Sequence, residues 1–380
     1  MAWSPMPVKR VAGHRSYGMR VILPMRLEGS GRTSHLWAMD AVTQMLFGAV
    51  VAQAGFRRRL GRKAMVAGAA LGLVPDLDVA VGWMAGPFAN WVHHRGLTHS
   101  IFFAPMVGVL LYGILTARQK RRPPDRRMDA NHIRSWTWLT VLVLATHPVI
   151  DLFTSYGTQL LAPFSRHRFA IDAMPIIDPV YSLALVVALV IGATAARRET
   201  LATTAAGAAL FFVSAYTLFA WSLNDRVERE ATAQLNGSRA EVTAYPTMFQ
   251  PYLRRVVAET PEEVRVGFYS VLNPEQIRWQ TFPREAHPPL VAATEEAEIF
   301  QWFAMNKVIW RSHENGNGER VVEALDYRYG LFGGSELGFW GIRAELDAAG
   351  RLLEGPRTFQ NRPAADRDRL TQFWQAVVGP

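Results

Sequence analysis

The chain has 380 residues, is 49% hydrophobic, carries a net charge of +9 and contains no cysteine. Without cysteine there is no disulfide framework and no thiolate metal site, so any metal must be held by His, Asp, Glu, Asn or Gln. The positive charge does not form a nucleic-acid face. Five of the nine net charges lie in residues 1–38, and the clusters Arg57 to Lys63 and Arg118 to Arg134 flank apolar runs, as cytoplasmic membrane loops do.

Residues 1–38 show no hydrophobic period and lack a signal-peptide pattern. The stretch "MDAVTQMLFGAV" reads as a fresh start at Met39. Translation is therefore expected to begin there, the alternative being a disordered basic arm over 1–38. Six candidate membrane segments follow, at about 39–55, 64–84, 100–117, 136–153, 179–196 and 201–223, against the roughly 17–25 mostly apolar residues a spanning helix needs. "PDLD" interrupts the second and "THPVID" the fourth. Basic residues occupy alternate loops, at 56–63, 118–134 and 197–198, which sets those loops in the cytoplasm. The Met39 end, "HHRGLTHS", the 154–178 loop and everything after Leu223 then lie outside, which in a Gram-negative cell is the periplasm.

After Leu223 the composition changes. Residues 224–240 are polar and helix-compatible, and then come "VRVGFYSVL", "IRWQTF", "KVIWRS", "RVVEALDYRYG" and "LGFWGIRAEL", separated by Gly, Pro and Asn. These read as antiparallel strands, with "RLTQFWQAVV" as a closing helix. The expected fold is an α-helical multi-pass membrane domain over 39–223, followed by a soluble, extracytoplasmic β-rich (α+β) domain over 224–380.

Three constellations carry chemistry. Asp76 and Asp78 sit in an apolar stretch, where carboxylates are costly and face a partner or a cavity. Pro75 breaks the helix locally and can turn both toward one site. In "HHRGLTHS", His94 and His99 are five apart, with Gly96 allowing an unusual backbone between them. Thr98 and Ser100 are expected to cap a helix beginning at Ser100, whose free N–H groups suit an anion that Arg95 would clamp. His93 is the least supported of the three histidines. His147 and Asp151 in "ATHPVID" are four apart and share a helix face if the helix continues past Pro148. Asp151 is then either a ligand or the group that orients a ligand histidine. The loop after it offers Tyr156, Ser165, Arg166, Arg168, Asp172 and Asp178 as further lining. Carboxylates with histidines suit one or two divalent metals that activate water.

These residues, with "MDAVTQMLFGAVVA", "HPVIDLFTSYGTQLLAPFS" and "IIDPVY", resemble the YdjM-like family of inner-membrane metal-dependent hydrolases, in order from Met39 to Ala196. The tail, with "VGFYSVL" and "LDYRYG", resembles the extracytoplasmic extension of longer members. The resemblance implies a hydrolase-type metal site made of Asp76, Asp78, His94, His99, His147 and Asp151. It also implies distant kinship to the zinc-dependent phospholipase C group. One departure is that many members have a histidine where this chain has Gln44.

The function expected is a membrane-bound metal-dependent hydrolase, with zinc or else manganese as cofactor and a lipid or phosphoester substrate. Asp76, Asp151 and Arg95 are the catalytic candidates, and the bilayer is the partner rather than nucleic acid. The rivals are a cation-coupled transporter or metal carrier, and a non-enzymatic assembly factor with a structural metal.

Overall fold

The computed structural model describes residues 34–195, 198–235, 237–285, 289–315, 319–333, 337–361 and 367–379. The expected extension over 1–38 falls largely outside them. Helix α1 (Ser34–Gly55) runs toward a basic turn holding α2 (Arg57–Leu60), and α3 (Lys63–Leu73) returns beside it. A 3-10 turn, Pro75–Asp78, separates α3 from α4 (Val79–Ala85), and α5 (Pro87–His93) doubles back. A second 3-10 turn, Leu97–His99, leads to α6 (Phe103–Lys120), followed by α7 (Ala130–Leu152), α8 (Pro179–Thr194) and α9 (Glu199–Gln234).

Local chemistry sets these boundaries. Asp129 accepts from the backbone N–H of Asn131 at 2.6 Å and caps α7, and Asp178 accepts from Tyr181 N at 3.0 Å and caps α8. Helices α1 and α3 touch backbone to backbone. A Cβ on Gly48 would stand 2.3 Å from the carbonyl oxygen of Gly68, and the reverse is equally close. Only glycine admits that approach, the usual device of tightly paired membrane helices. At the basic end Arg57 is buried, donating to Gly192 O at 2.6 Å and pairing with Glu199 at 3.0 Å. It fastens α2 to the α8–α9 turn instead of standing free at a membrane surface.

The expectation of six spanning segments is not supported. Among the described residues, two helical stretches are long and apolar enough to cross a membrane, Lys63–Ala85 and Glu199–Gln234. A third arises if Pro87–His99 and Phe103–Lys120, bent by 57°, count as one broken span. The apolar stretches Ala41–Gly55 and Pro179–Thr194 are shorter. Helix α7 carries His132, Arg134, His147 and Asp151, and its apolar content is correspondingly diluted.

Helix α9 continues through the composition change at Leu223 and delivers the chain to two antiparallel four-stranded meanders. The first is β1 (Glu241–Pro246), β2 (Leu253–Glu259), β3 (Glu263–Ser270) and β4 (Gln280–Pro283). After the short helices α10 (Pro289–Ala292) and α11 (Glu295–Phe303) come β5 (Val308–Glu314), β6 (Arg320–Asp326), β7 (Trp340–Leu346) and β8 (Leu352–Gln360). Helix α12 (Arg367–Val378) closes the described chain. Strands β1, β2 and β8 lie outside the expected runs, and in β2, "LRRVVAE", two arginines hide the period. The alternation is nevertheless strict. Arg254 and Val256 face α9, where Arg254 donates to Ala220 O at 2.7 Å and Val256 packs with Val227 and Ala231. Arg255 and Val257 face the second sheet, where Arg255 donates to Tyr327 O and Leu337 O, each at 3.1 Å.

A candidate metal centre

The Leu97–His99 turn sets His99 between two carboxylates. Its Nε2 lies 3.4 Å from Asp76 Oδ1 and its Nδ1 lies 3.3 Å from Asp78 Oδ2. In the Pro75–Asp78 turn, with about three residues per turn, positions 76 and 78 point to different sides. Asp76 thus faces His147 and the Nε2 side of His99, whereas Asp78 faces His94 and the Nδ1 side of His99. His147, on α7, brings its Nε2 to 3.1 Å from His99 Nε2 and 3.4 Å from Asp76 Oδ1. Helix α7 does continue past Pro148, and Asp151 Oδ2 lies 3.2 Å from His99 Nε2 and 3.6 Å from His147 Nε2.

Hydrogen bonding decides which atoms of the two imidazoles face inward. His147 Nδ1 lies 2.9 Å from Gly72 O, which can only accept, so Nδ1 carries the proton. Thr98 Oγ1 donates its single proton to Asp78 at 2.6 Å and so accepts from His99 Nδ1 at 3.0 Å. In their neutral form both rings therefore turn Nε2 lone pairs toward each other. With two carboxylate oxygens alongside, four acceptors converge and no donor joins them. Asp151 Oδ2 is buried and has no hydrogen-bond partner. Such an arrangement calls for a positive charge at its centre, a metal ion or a proton on one of the ring nitrogens. Asp76, His99 and His147 form a triangle with edges of 3.1 to 3.4 Å. Three ligands about 2.0–2.2 Å from one ion have this spacing, and these three residues form a group able to hold a metal ion.

The supporting contacts explain the remaining sequence candidates. Asp78 is not placed to be a ligand: its Oδ1 holds His94 Nδ1 at 2.7 Å, and its Oδ2 orients His99. His94 stands behind it, with ring centroids 5.6 Å from His99 and 5.5 Å from Tyr156. Arg95 is fully buried and is not an anion clamp open to substrate. Its guanidinium pairs with Asp151 Oδ1 at 3.2 Å and donates to Thr154 Oγ1 at 2.7 Å. Arg95, not Gly96, takes the left-handed backbone (φ 56°), while a Cβ on Gly96 would stand 2.6 Å from His93 O. His93 is exposed. Helix α6 starts at Phe103 rather than Ser100, with Phe102 at its N-cap, so neither Thr98, which donates to Asp78, nor Ser100 caps it. Gln44, buried on α1, donates to Asp151 Oδ1 at 3.1 Å. The position where a family ligand was expected thus supports a carboxylate, a role no spacing in the sequence reveals.

Three of the six loop candidates, Ser165, Arg168 and Asp178, bind backbone. Arg168 donates to Gly157 O at 2.7 Å and Tyr156 O at 3.2 Å, and Asp178 caps α8 while accepting from Tyr216 at 2.9 Å. Arg166 lies over the Trp302 ring, 4.7 Å from its centroid. Ser165 Oγ accepts from His167 N at 3.1 Å. Burial pushes the Tyr156 phenol up to about 12, so it stays neutral among arginines, and burial also raises the Asp172 carboxyl.

Residues 39–226 match the family model described as YdjM inner membrane protein. This part of the chain belongs to that family. A YfhP protein of Bacillus subtilis is 29% identical over 119 residues, covering 30% of this chain and 32% of its own length. Inner membrane protein YbcI of Escherichia coli is 35% identical over 107 residues, covering 28% of this chain and 56% of its own length. The chain thus spans a third to just over half of the curated relatives it matches. No solved structure matches. The family model covers Asp76, His99, His147 and Asp151, and it stops short of the two sheets.

Proposed function

We propose that the chain is a membrane-bound, metal-dependent hydrolase of the inner membrane, acting on a lipid or other phosphoester, with its β-rich domain on the periplasmic side. The observation that carries this reading is the convergence of Asp76, His99 and His147 around a point with the spacing of a metal-ligand set. Two imidazoles and one carboxylate leave coordination positions open, as catalytic sites do, and they suit zinc or manganese. Asp76 is the one member of the cluster with appreciable exposure, its side chain 18% accessible against 1% or less for His99, His147 and Asp151. Substrate therefore approaches past Asp76, beside the exposed apolar side chains of Leu77 and Leu97, which suits a molecule arriving from the bilayer.

A bound divalent ion supplies Lewis acidity, polarising a phosphoryl oxygen and making water more acidic. The chain's own residues do the rest. Asp151 Oδ2, the free acceptor, takes the proton of the attacking water. Arg95 and Gln44 hold the other oxygen of that carboxylate and fix its direction. Asp78 and Gly72 O keep both imidazoles in the tautomer that presents Nε2.

The orientation rests on chain direction. Helices α3 and α7 begin beside basic residues and end at the site, and α9 begins at Glu199 and ends in the sheets. The test is metal analysis of the purified protein, with hydrolysis of a phospholipid in mixed micelles. Bound zinc or manganese near one per chain, lost together with hydrolysis in His99→Ala with His147→Ala, is expected. Wild type free of metal would sink the reading.

A second reading, an assembly factor with a purely structural metal, is favoured by the near-complete burial of three of the four groups. It predicts that the ligand variants lose stability while wild type with metal shows no hydrolysis.

A further inference from the structure

The β-rich domain lies outside the family match, yet it reaches the back of the metal centre. Arg328, just beyond β6, is completely buried. It pairs with Asp326 through two nitrogens, at 2.6 Å and 2.9 Å, and turns NH1 away to donate to Ser155 O at 2.7 Å. Ser155 adjoins Thr154, whose hydroxyl accepts from Arg95 at 2.7 Å, and Arg95 holds Asp151 Oδ1 at 3.2 Å. A continuous line of short polar contacts thus runs from a strand end in the second sheet to the carboxylate beside the metal-facing histidines.

An aromatic line runs parallel to it. Phe303, at the end of α11, packs edge-on to Tyr156 with centroids 5.0 Å apart. The Tyr156 ring lies 4.9 Å from the Arg95 guanidinium carbon and 5.5 Å from the His94 ring. Phe303 also stacks on Trp91 of α5 at 5.1 Å and 14°, and α5 carries the chain into His94 and Arg95. Both limbs that bring Arg95 to Asp151 are therefore gripped by the same small part of the β-rich domain.

We propose that this domain completes the metal centre, with Arg328 as a positioning residue that sets Asp151 through Ser155, Thr154 and Arg95. The inference rests on the metal reading above. Metal binding and domain docking are then coupled, and the coupling is reciprocal: whatever factor docking adds to metal affinity, metal adds to docking. Asp151 lies 3.2 Å from His99 Nε2 and 3.6 Å from His147 Nε2, and supporting contacts around a metal's ligands are typically worth about 10–100-fold in affinity.

The experiment uses the full chain in detergent. Cobalt(II) serves as a spectroscopic probe, and affinity comes from competition with a chromophoric chelator. Arg328→Lys keeps the charge but loses the fork that binds Asp326 and Ser155 together. It is expected to weaken metal binding about tenfold or more and to shift the visible cobalt bands. Thr154→Val cuts the same line inside the helical domain and is a second route should the lysine variant fold poorly. The double variant should be no worse than the weaker single one, because both break one line. Val322→Ala, in the cluster with Val291 and Leu346 across the second sheet, is the control for mere loss of domain stability. It should leave affinity and bands unchanged. Native affinity and bands in both Arg328→Lys and Thr154→Val overturn the proposal, as does a Val322→Ala loss equal to theirs. Absence of cobalt binding in wild type overturns the metal reading itself and is thereby told apart.

Discussion

Two buried polar clusters, joined by the loop through Ser155, solve opposite problems. Around Arg328, donors and acceptors match: the guanidinium meets both oxygens of Asp326, Ser155 O and Phe303 O. Around His99, acceptors face acceptors, with Asp76, Asp151 and two Nε2 lone pairs turned to one point. Burial makes every unmatched polar group costly. The first cluster is complete as folded, and the second becomes complete only with a positive charge at its centre. The contrast teaches that donor–acceptor matching, more than residue type, separates a cluster that holds a fold from one able to hold an ion.

The largest test of the contrast removes one acceptor from each cluster. Asp326→Ala strands a buried guanidinium and should cost about 3–5 kcal/mol, read from denaturant unfolding followed at the tryptophans of the second sheet. Asp76→Asn, by contrast, removes a charge from a set of converging acceptors. The metal-free protein should be no less stable for it, while metal affinity falls sharply. Equal losses of stability in the two variants would dissolve the distinction.

Metal itself is the next lever. An ion that binds the native state alone stabilises it by about 2.7 kcal/mol at a hundred times its Kd. Thermal scans with and without zinc or manganese should show that gain in wild type and not in His99→Ala with His147→Ala. An equal gain in the double variant would place the ion elsewhere.

Much of this site was legible in the sequence, for a physical reason. Carboxylates and histidines in apolar runs are costly, so Asp76, Asp78, His94, His99, His147 and Asp151 stand out, and all six do lie in one network of contacts. Their division of labour was not legible. Asp78 points to a different side from Asp76 because the "PDLD" turn is 3-10, a winding that sequence spacing does not reveal, and it holds His94 at 2.7 Å on that side. Arg95 looked like an anion clamp because its partner, Thr154, is 59 positions away. Gln44 and Arg328 carry no motif, and their roles exist only through contacts made across the fold. The span count failed for a related reason. Apolar runs packed against other helices look like spans in composition, whatever their length, and α1 and α8 are such runs.

Gln44 sharpens the comparison from the metal side. Its amide is the second donor on Asp151 Oδ1, beside Arg95. Gln44→Ala should lower metal affinity by about tenfold while leaving the unfolding midpoint of the metal-free protein nearly unchanged. Gln44→Glu should weaken it further, since a second carboxylate would compete for Arg95. Tighter binding in Gln44→Glu would mean that position 44 reaches the ion itself.

The smallest effect lies between the two clusters, at Asp172. Its Oδ1 is buried without a hydrogen bond, its backbone is left-handed at φ 57°, and burial raises its carboxyl despite the nearby Arg328, Lys307 and Arg254. A carboxyl whose folded-state value is raised favours the native state while protonated, and that stability is lost as the pH rises through the folded value. Wild type should therefore be less stable at pH 8 than Asp172→Asn, and the gap should close as the pH falls through the carboxylate range. Asparagine tolerates the left-handed backbone and brings no charge, so a rise in Tm on the order of 2 °C at pH 8 is expected. A lower Tm at pH 8 in the asparagine variant would show instead that the Asp172 carboxylate is held by the arginines around it. Asp172 would then join the matched cluster, and the boundary between the two would move toward the metal.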